Sequence, residues 1–196
     1  TRTMIGISEK TMAIHRDKLY AGYVKKLREI WDRLAPLRER IIAGESIGNA
    51  TFSDLRAVKV EETFAANGVY LHEWYFGNIS GDGDWSKAPE LASAIAKKWG
   101  SIENGIKDIS ECAMAARGWA LLVWDHKQQK IMQYNADSHN QGGVWGCIPI
   151  IVLDVYEHAY FIDFGADRKA YIEAFWKNFD WKSAEDLYNK VKDITL

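Results

Sequence analysis

Near the start of the chain, apolar residues follow Ile14 at Leu19 and then recur at steps of three and four: Tyr23, Leu27, Ile30 and Leu34. That is the period of a helix with one buried stripe, so "ISEKTMAIHRDKLYAGYVKKLREIWDRL" is predicted as a single long helix. Ser8 is its expected N-cap, and Pro36 its expected kink or stop. "GESIGNA" reads as a connection. "TFSDLRAVKVEETFAANGVYLHEWYF" reads as a second helix, capped by Thr51 or Ser53, with Gly68 as its weak point. Two consecutive helices predict an antiparallel hairpin. "GNISGDGDWSKAP" is rich in Gly, Ser and Asp and reads as a linker. It puts a boundary near residues 77–88, giving a helical-hairpin domain over 1–80 and an α/β domain over 88–196. Two short helices follow, "PELASAIAKKWG", with Pro89 at its first position, and "SIENGIKDISECAMAA".

The pattern then changes to short apolar runs. "GWALLVWD" and "KIMQYNA" flank the polar turn "HKQQ" and predict a β-hairpin. "CIPIIVLD" is uniformly apolar and predicts a buried third strand. "RKAYIEAFWKNF" and "WKSAEDLYNKV" are predicted as helices, the second capped by Ser183. The fold class is α+β: an N-terminal antiparallel α-helical hairpin, then an α/β lobe with a small three-stranded antiparallel sheet.

Composition narrows the function. Of 196 residues, 47% are hydrophobic and 27% charged, which suits a globular chain with a real core. Nine Trp, nine Tyr and seven Phe point to a dense core, a large interface or an aromatic-walled site. A net charge of −2 gives no global basic field for nucleic acid. No apolar run approaches the ~20 residues of a membrane span, and "TRTMIGISEK" has no apolar signal-peptide core. Cys112 and Cys147 make no disulfide framework, so a reducing cytoplasm is the expectation.

The candidate chemistry lies in the histidines. His15 falls within the first helix, and His72 in the aromatic stretch "VYLHEWYF". His158 follows Asp154 by four residues, and Asp154 closes the third strand. Charged groups beside a buried strand are costly unless paired. Three His and one Asp on three elements form an N/O ligand set for a first-row transition metal, with room for solvent or substrate. No thiolate is offered, which disfavours structural zinc or an iron–sulfur cluster. His126 reads as an ordinary turn histidine. A helical interaction module would leave Asp154, Glu157 and His158 uncompensated, and the ExxH pair of a di-iron bundle is absent.

"DVYEHAYFIDFGADRKAYIEAFWKNFDW" resembles the C-terminal signature of iron/manganese superoxide dismutases: D-x-W-E-H-A-Y, an Arg three residues before a Tyr, and a helix ending in Trp. "HRDKLYAGYVKKL" is similar to the family's first metal-binding helix, "NGVYLHEWYF" to its second, and "GWALLVW" to its Gly-Trp strand. The likeness runs in family order over about residues 7–188.

The resemblance implies that His15, His72, Asp154 and His158 hold one metal per subunit, with solvent in the fifth position. It implies dismutation of superoxide to oxygen and hydrogen peroxide, the metal alternating between M(III) and M(II). Tyr23 would be the gateway tyrosine, and Trp119 with Tyr70, Trp74 and Tyr75 would wall the site. Arg168 would stand at the entrance and, with Lys18, attract an anion. Glu157 would reach across a symmetric dimer to His158 of the partner subunit, with Tyr160 at the same contact. A homodimer is implied, with a tetramer as the alternative. At the family's helical glutamine position stands Gly68. His139, fifteen residues before Asp154, instead fits the archaeal and some bacterial members that use His as the solvent's partner. Leu19 replaces a second histidine, Tyr156 replaces a Trp, and Val152 is bulkier than the Gly common in manganese enzymes. The last point favours iron over manganese. The departures also motivate an alternative: a metal-binding homodimer of the same fold that has lost turnover.

Overall fold

Ser8 opens the first helix as its pattern predicts, its Oγ accepting from the Thr11 N–H. The computed structural model describes residues 3–194. Helix α1 (Glu9–Ile14) passes without a break into a π-helical turn (His15–Tyr20) and on into α2 (Ala21–Ile42). Pro36 neither stops nor ends the helix, which runs six residues further. Pro36 and Asp32, whose carbonyl loses its partner, both lie on the exposed side. Leu34 meanwhile keeps the buried stripe packed at 1% exposure. Ser53, not Thr51, caps α3 (Asp54–Asn78), accepting from the Arg56 N–H.

The helices of the hairpin share a small core of Leu27, Ile30 and Leu34 against Ala65 and Val69. Gly68 does not interrupt α3. Its missing side chain makes room for the Tyr23 ring: a Cβ there would lie 2.7 Å from Tyr23 Cδ1. The last turns of α3 leave the hairpin core. Leu71, Tyr75 and the following Ile79 belong to the larger core, with the sheet and the C-terminal helices.

Helices α4 (Pro89–Trp99) and α5 (Ile102–Ala115) follow the linker. No side chain at Ala88 caps α4; the nearly buried Glu185 carboxylate accepts from the Glu90 and Leu91 N–H groups instead. Strands β1 (Trp119–Asp125), β2 (Lys130–Ala136) and β3 (Cys147–Asp154) form an antiparallel sheet in the order β2-β1-β3. Every residue of β1 is buried, as a central strand requires. The β1–β3 register slips between Leu122 and Val123, which pair with Ile151 and Pro149. Pro149 cannot donate to a ladder, and an edge strand with a bulge is where a proline is tolerated. Asn78, at the end of α3, covers that edge: its Oδ1 accepts from the Val152 N–H, and its Nδ2 donates to the Ile150 carbonyl.

After β3 come a 3₁₀ turn (Glu157–Ala159), α6 (Phe161–Phe164), α7 (Arg168–Lys177) and α8 (Trp181–Val191). The turn and α6 are too short to show a period in sequence. Ser183 is not the cap of α8. Asp180 takes that place, accepting from the Ser183 N–H and Oγ. Asp163 in α6 reaches back to the start of α1, where its Oδ2 accepts from the Ser8 N–H and Thr11 Oγ1. Among the described residues, no helix is long and apolar enough to cross a membrane.

Two predictions follow from this packing. Gly22 in α2 has open space around its Cα, so Gly22→Ala gains helix propensity and stabilises by about 1 kcal/mol. Gly68→Ala forces the Tyr23 ring aside and destabilises by about 1–3 kcal/mol. Urea unfolding of the two variants checks the opposite signs. Burial pushes the Asp163 carboxyl up, but its bonds from Ser8 and Thr11 outweigh this and hold it below the usual value. A depressed carboxyl stabilises above its unfolded value, near pH ~4, and loses that stabilisation as pH falls through the folded value. Asp163→Asn is therefore less stable than the parent at pH 7, and the gap closes in acid. Unfolding midpoints across pH measure it.

Candidate metal centre

Four side chains from three parts of the fold meet at one point. His15 opens the π turn, His72 lies in α3, Asp154 ends β3, and His158 sits in the 3₁₀ turn just beyond. One ligand atom from each lies within 4.8 Å of all the others. His15, His72 and Asp154 are fully buried, and the His158 side chain is 27% exposed. Asp154 Oδ2 is 3.2 Å from His15 Nε2, 3.2 Å from His158 Nε2 and 3.6 Å from His72 Nε2.

The local chemistry presents lone pairs to this point. The His72 Nδ1–H donates to the Gly68 carbonyl one turn back, which leaves Nε2 bare. That Nε2 and both ring nitrogens of His15 are buried without a hydrogen-bond partner. His15 Nε2 is near Asp154 but not aligned as a hydrogen bond to it. Such orphans are costly in a native interior unless something other than a protein hydrogen bond satisfies them. Three imidazoles and a carboxylate converging on a dry point fit a divalent or trivalent first-row cation.

The carboxylate is held in place from both ends. Its Oδ1 accepts from the Tyr156 N–H at 3.0 Å, and the Asp154 carbonyl accepts from the Tyr171 hydroxyl at 2.7 Å. Tyr171 Oη is also 3.2 Å from Tyr75 Oη, both groups fully buried. Burial alone would push Asp154 up, but His158 and His15 hold it far below the carboxylate range. Asp154 in turn raises His158 against the effect of burial. Burial pushes His72 down, with Asp154 opposing.

The π turn explains how His15 and Tyr23 share this site. Eight residues of α-helix advance about 800°, which would place them about 80° apart around the axis. A π turn absorbs one extra residue and removes about 100° of that advance, leaving them within about 20°. Tyr23 tilts over His72 at 5.4 Å between ring centroids. Its hydroxyl is 2.7 Å from His139 Nε2, and Trp119 donates its indole N–H to His139 Nδ1 at 3.0 Å. Burial pushes His139 down to about 4 and raises Tyr23. Trp119 is aligned by register, since it pairs directly with Asp154 across β1 and β3.

The aromatic wall differs from the expected one. Trp119, Tyr75 and Tyr23 contact the cluster, but Tyr70 is 48% exposed and, with Trp74, lines a surface groove shared with His139, Val144 and Trp145. Phe76 and Tyr156 stand in their place, packed on His15 and His158, and Phe64 covers His139. These residues were missed, although Phe64, Gly68, His72 and Phe76 mark one face of α3 by their four-residue step. Tyr20 also lies beside the cluster and donates to Glu73. His126 lies outside the cluster, bonded to the Ile194 carbonyl.

Tyr23 opens onto a groove between α2 and α3, lined by Leu19, Val58 and Phe64 with Lys18, Lys26 and Arg33 along its rim. Arg168 lies at the C-terminal side. It donates to the Ala116 carbonyl and to the Tyr160 hydroxyl, and its guanidinium sits over the Tyr160 ring. Glu157 is exposed.

Residues 87–187 match the family model described as iron/manganese superoxide dismutases, C-terminal domain. The chain is 37% identical over 185 residues to "Superoxide dismutase [Fe]" of Aquifex pyrophilus, covering 94% of this chain and 85% of that one. It is 34% identical over 188 residues to "Superoxide dismutase [Mn] 2" of Halobacterium salinarum, covering 96% and 90%. It is also 31% identical to "Superoxide dismutase [Fe]" of Methanothermobacter marburgensis, covering 93% and 88%. With the buried cluster and these likenesses together, the chain belongs to the iron/manganese superoxide dismutase family.

Proposed function

We propose that this chain is a superoxide dismutase with iron or manganese held by His15, His72, Asp154 and His158. The observation that carries the reading is the dry, convergent cluster with orphaned imidazole nitrogens and an ionised carboxylate. The bound metal supplies a one-electron couple between trivalent and divalent states. The net reaction takes two superoxide anions and two protons to oxygen and hydrogen peroxide.

The chain's own residues supply the rest. Asp154 contributes the one negative charge among the four ligands and so favours the trivalent state. Tyr75, Phe76 and Trp119 pack against the ligand rings and exclude water, which strengthens that electrostatic effect. Tyr23 stands between cluster and groove as the hydroxyl through which a proton passes. Lys18 on the groove rim draws an anion inward. Arg168 anchors Tyr160 and adds positive charge on the other side of the entrance.

The same reading divides the chain into a helical-hairpin lobe, 1–80, and an α/β lobe, 88–196, with two ligands from each. It makes the protein a homodimer through Glu157 and Tyr160. Support comes from Glu157, whose exposed carboxylate has no partner among the described residues, and from the neighbouring Phe161 and Ile162, 56% and 45% exposed. His158 Nδ1 likewise has no partner there, and a carboxylate from a second copy would satisfy it. Two free cysteines suit a cytoplasmic protein.

Three predictions test this function. The protein reloaded with iron decays superoxide catalytically, and faster than the manganese form, since Val152 favours iron. Asp154→Asn and His72→Ala lose both the metal, by elemental analysis, and the activity. Stoichiometric decay at full metal occupancy would overturn the dismutase reading. Glu157→Ala shifts the sedimentation profile from dimer toward monomer and weakens metal retention at the same time. An unchanged dimer would remove Glu157 from the interface.

A further inference from the structure

We infer that the groove between α2 and α3 binds a single-chain amphiphilic carboxylate. Its head pairs with Arg33, and its tail closes the mouth at Tyr23. The effect on turnover rests on the dismutase reading; the binding does not.

The groove is larger and more apolar than a path for superoxide needs. It follows the first helix from Lys18 in the π turn to Arg33 in α2. At about 1.5 Å per residue that is about 22 Å. Its volume is about 590 Å³, within the range of small-molecule sites. Ile30 lies at its floor, 6% exposed, and Leu19, Val58 and Phe64 are half-buried walls. Gly22 and Ala57 keep it open, and a Cβ on Gly22 would meet nothing within 4 Å. A two-atom anion gains nothing from such walls. An alkyl chain laid along them is removed from water over its whole length.

The rim selects the head group. Lys18, Lys26 and Arg33 stand on one side and Glu61 on the other, a positive excess on a chain whose net charge is −2. Lys26 is already paired with Glu29. Arg33 makes no hydrogen bond or ion pair among the described residues, and its planar fork matches a carboxylate. A head held there directs the tail past Ile30 and Val58 to Leu19, Phe64 and the Tyr23 ring. The Lys18 stem can lie along the tail's end with its ammonium in water. Glu61 lies between Val58 and Phe64 along α3. A ligand acidic along its whole length, such as an acidic helix, would meet that carboxylate, whereas a single-headed one passes it with methylenes.

Calorimetric titration of the metal-loaded protein with laurate, below its micellar concentration, tests the site. The expected result is one laurate per chain. Dodecanol, which lacks the charged head, and acetate, which lacks the tail, bind at least about tenfold more weakly. Gly22→Phe fills the groove and Arg33→Glu reverses the charge that meets the head. Each is expected to weaken laurate at least about tenfold, with the circular dichroism of the parent retained. Laurate binding that neither substitution moves, or dodecanol binding equal to that of laurate, overturns the site. Absence of binding by the parent overturns it as well; if Gly22→Phe then sediments as a smaller species, a second copy is what covers the groove. Superoxide decay measured along the same titration is expected to slow in step with occupancy. Full occupancy with undiminished decay overturns the closing of the mouth. A parent inactive with either metal that still binds laurate overturns the dismutase reading and leaves the ligand site standing.

Discussion

An ionised carboxylate at zero exposure is the constraint around which this protein is arranged. Asp154 lies at the end of a buried strand, and removing such a charge from water costs several kcal/mol unless it is compensated. Its own hydrogen bonds, from the Tyr156 N–H and the nearby imidazoles, are too few to do so. His72 points a bare nitrogen at it, and His15 Nε2, though close, makes no aligned hydrogen bond to it. A cation held by all four groups satisfies the carboxylate and the orphaned nitrogens together. No substitution of one ligand leaves the others content, because each then faces an uncompensated neighbour.

The four cluster residues are spread so that a metal held there would tie the helical hairpin to the segment after the sheet. His15 and His72 come from the hairpin, Asp154 and His158 from the segment after the sheet. Other ties reinforce the same junction. Asp163 grips the start of α1, Asn78 pairs with the edge of β3, and Tyr171 holds the Asp154 carbonyl. Each fixes the backbone within a few residues of a ligand. These ties hold the backbone around the cluster through hydrogen bonds that need no metal.

How much of this could be read from the sequence follows from the physics of each feature. The two hairpin helices and the three strands rest on strong local signals, a sustained period or a run of apolar residues; the four proposed ligands rest on the family resemblance, since their spacing alone is a weak signal. The helix through Pro36 was not legible, because exposure of that turn, not its propensity, decided the outcome. Nor was the cap at Asp180, which competed with Ser183 three residues on. The π turn leaves no mark in a 3.6-residue pattern except that His15 and Tyr23, eight apart, both serve the site. The aromatic wall was misassigned at Tyr70 and Trp74 because "VYLHEWYF" is aromatic on every side. Only the four-residue step from His72 selects Phe76 as its neighbour, while Tyr75 packs on His15.

The replacement at Leu19 gains its meaning from the groove. The side chains that line it offer one hydroxyl, that of Tyr23, and no imidazole; Leu19 makes its inner wall apolar. A proton entering from this side therefore has the tyrosine oxygen as its last fixed station before the cluster. Gly68 is what lets the ring sit there, since any side chain on that turn of α3 would occupy its space. One glycine, one leucine and one histidine thus act on a single side chain: Gly68 admits the Tyr23 ring, Leu19 lines the groove beside it with apolar surface, and His139 hydrogen-bonds its oxygen. Three of this chain's departures from its family's pattern, Gly68, Leu19 and His139, meet at Tyr23, whereas Tyr156 packs on His158 and Val152 lies within β3.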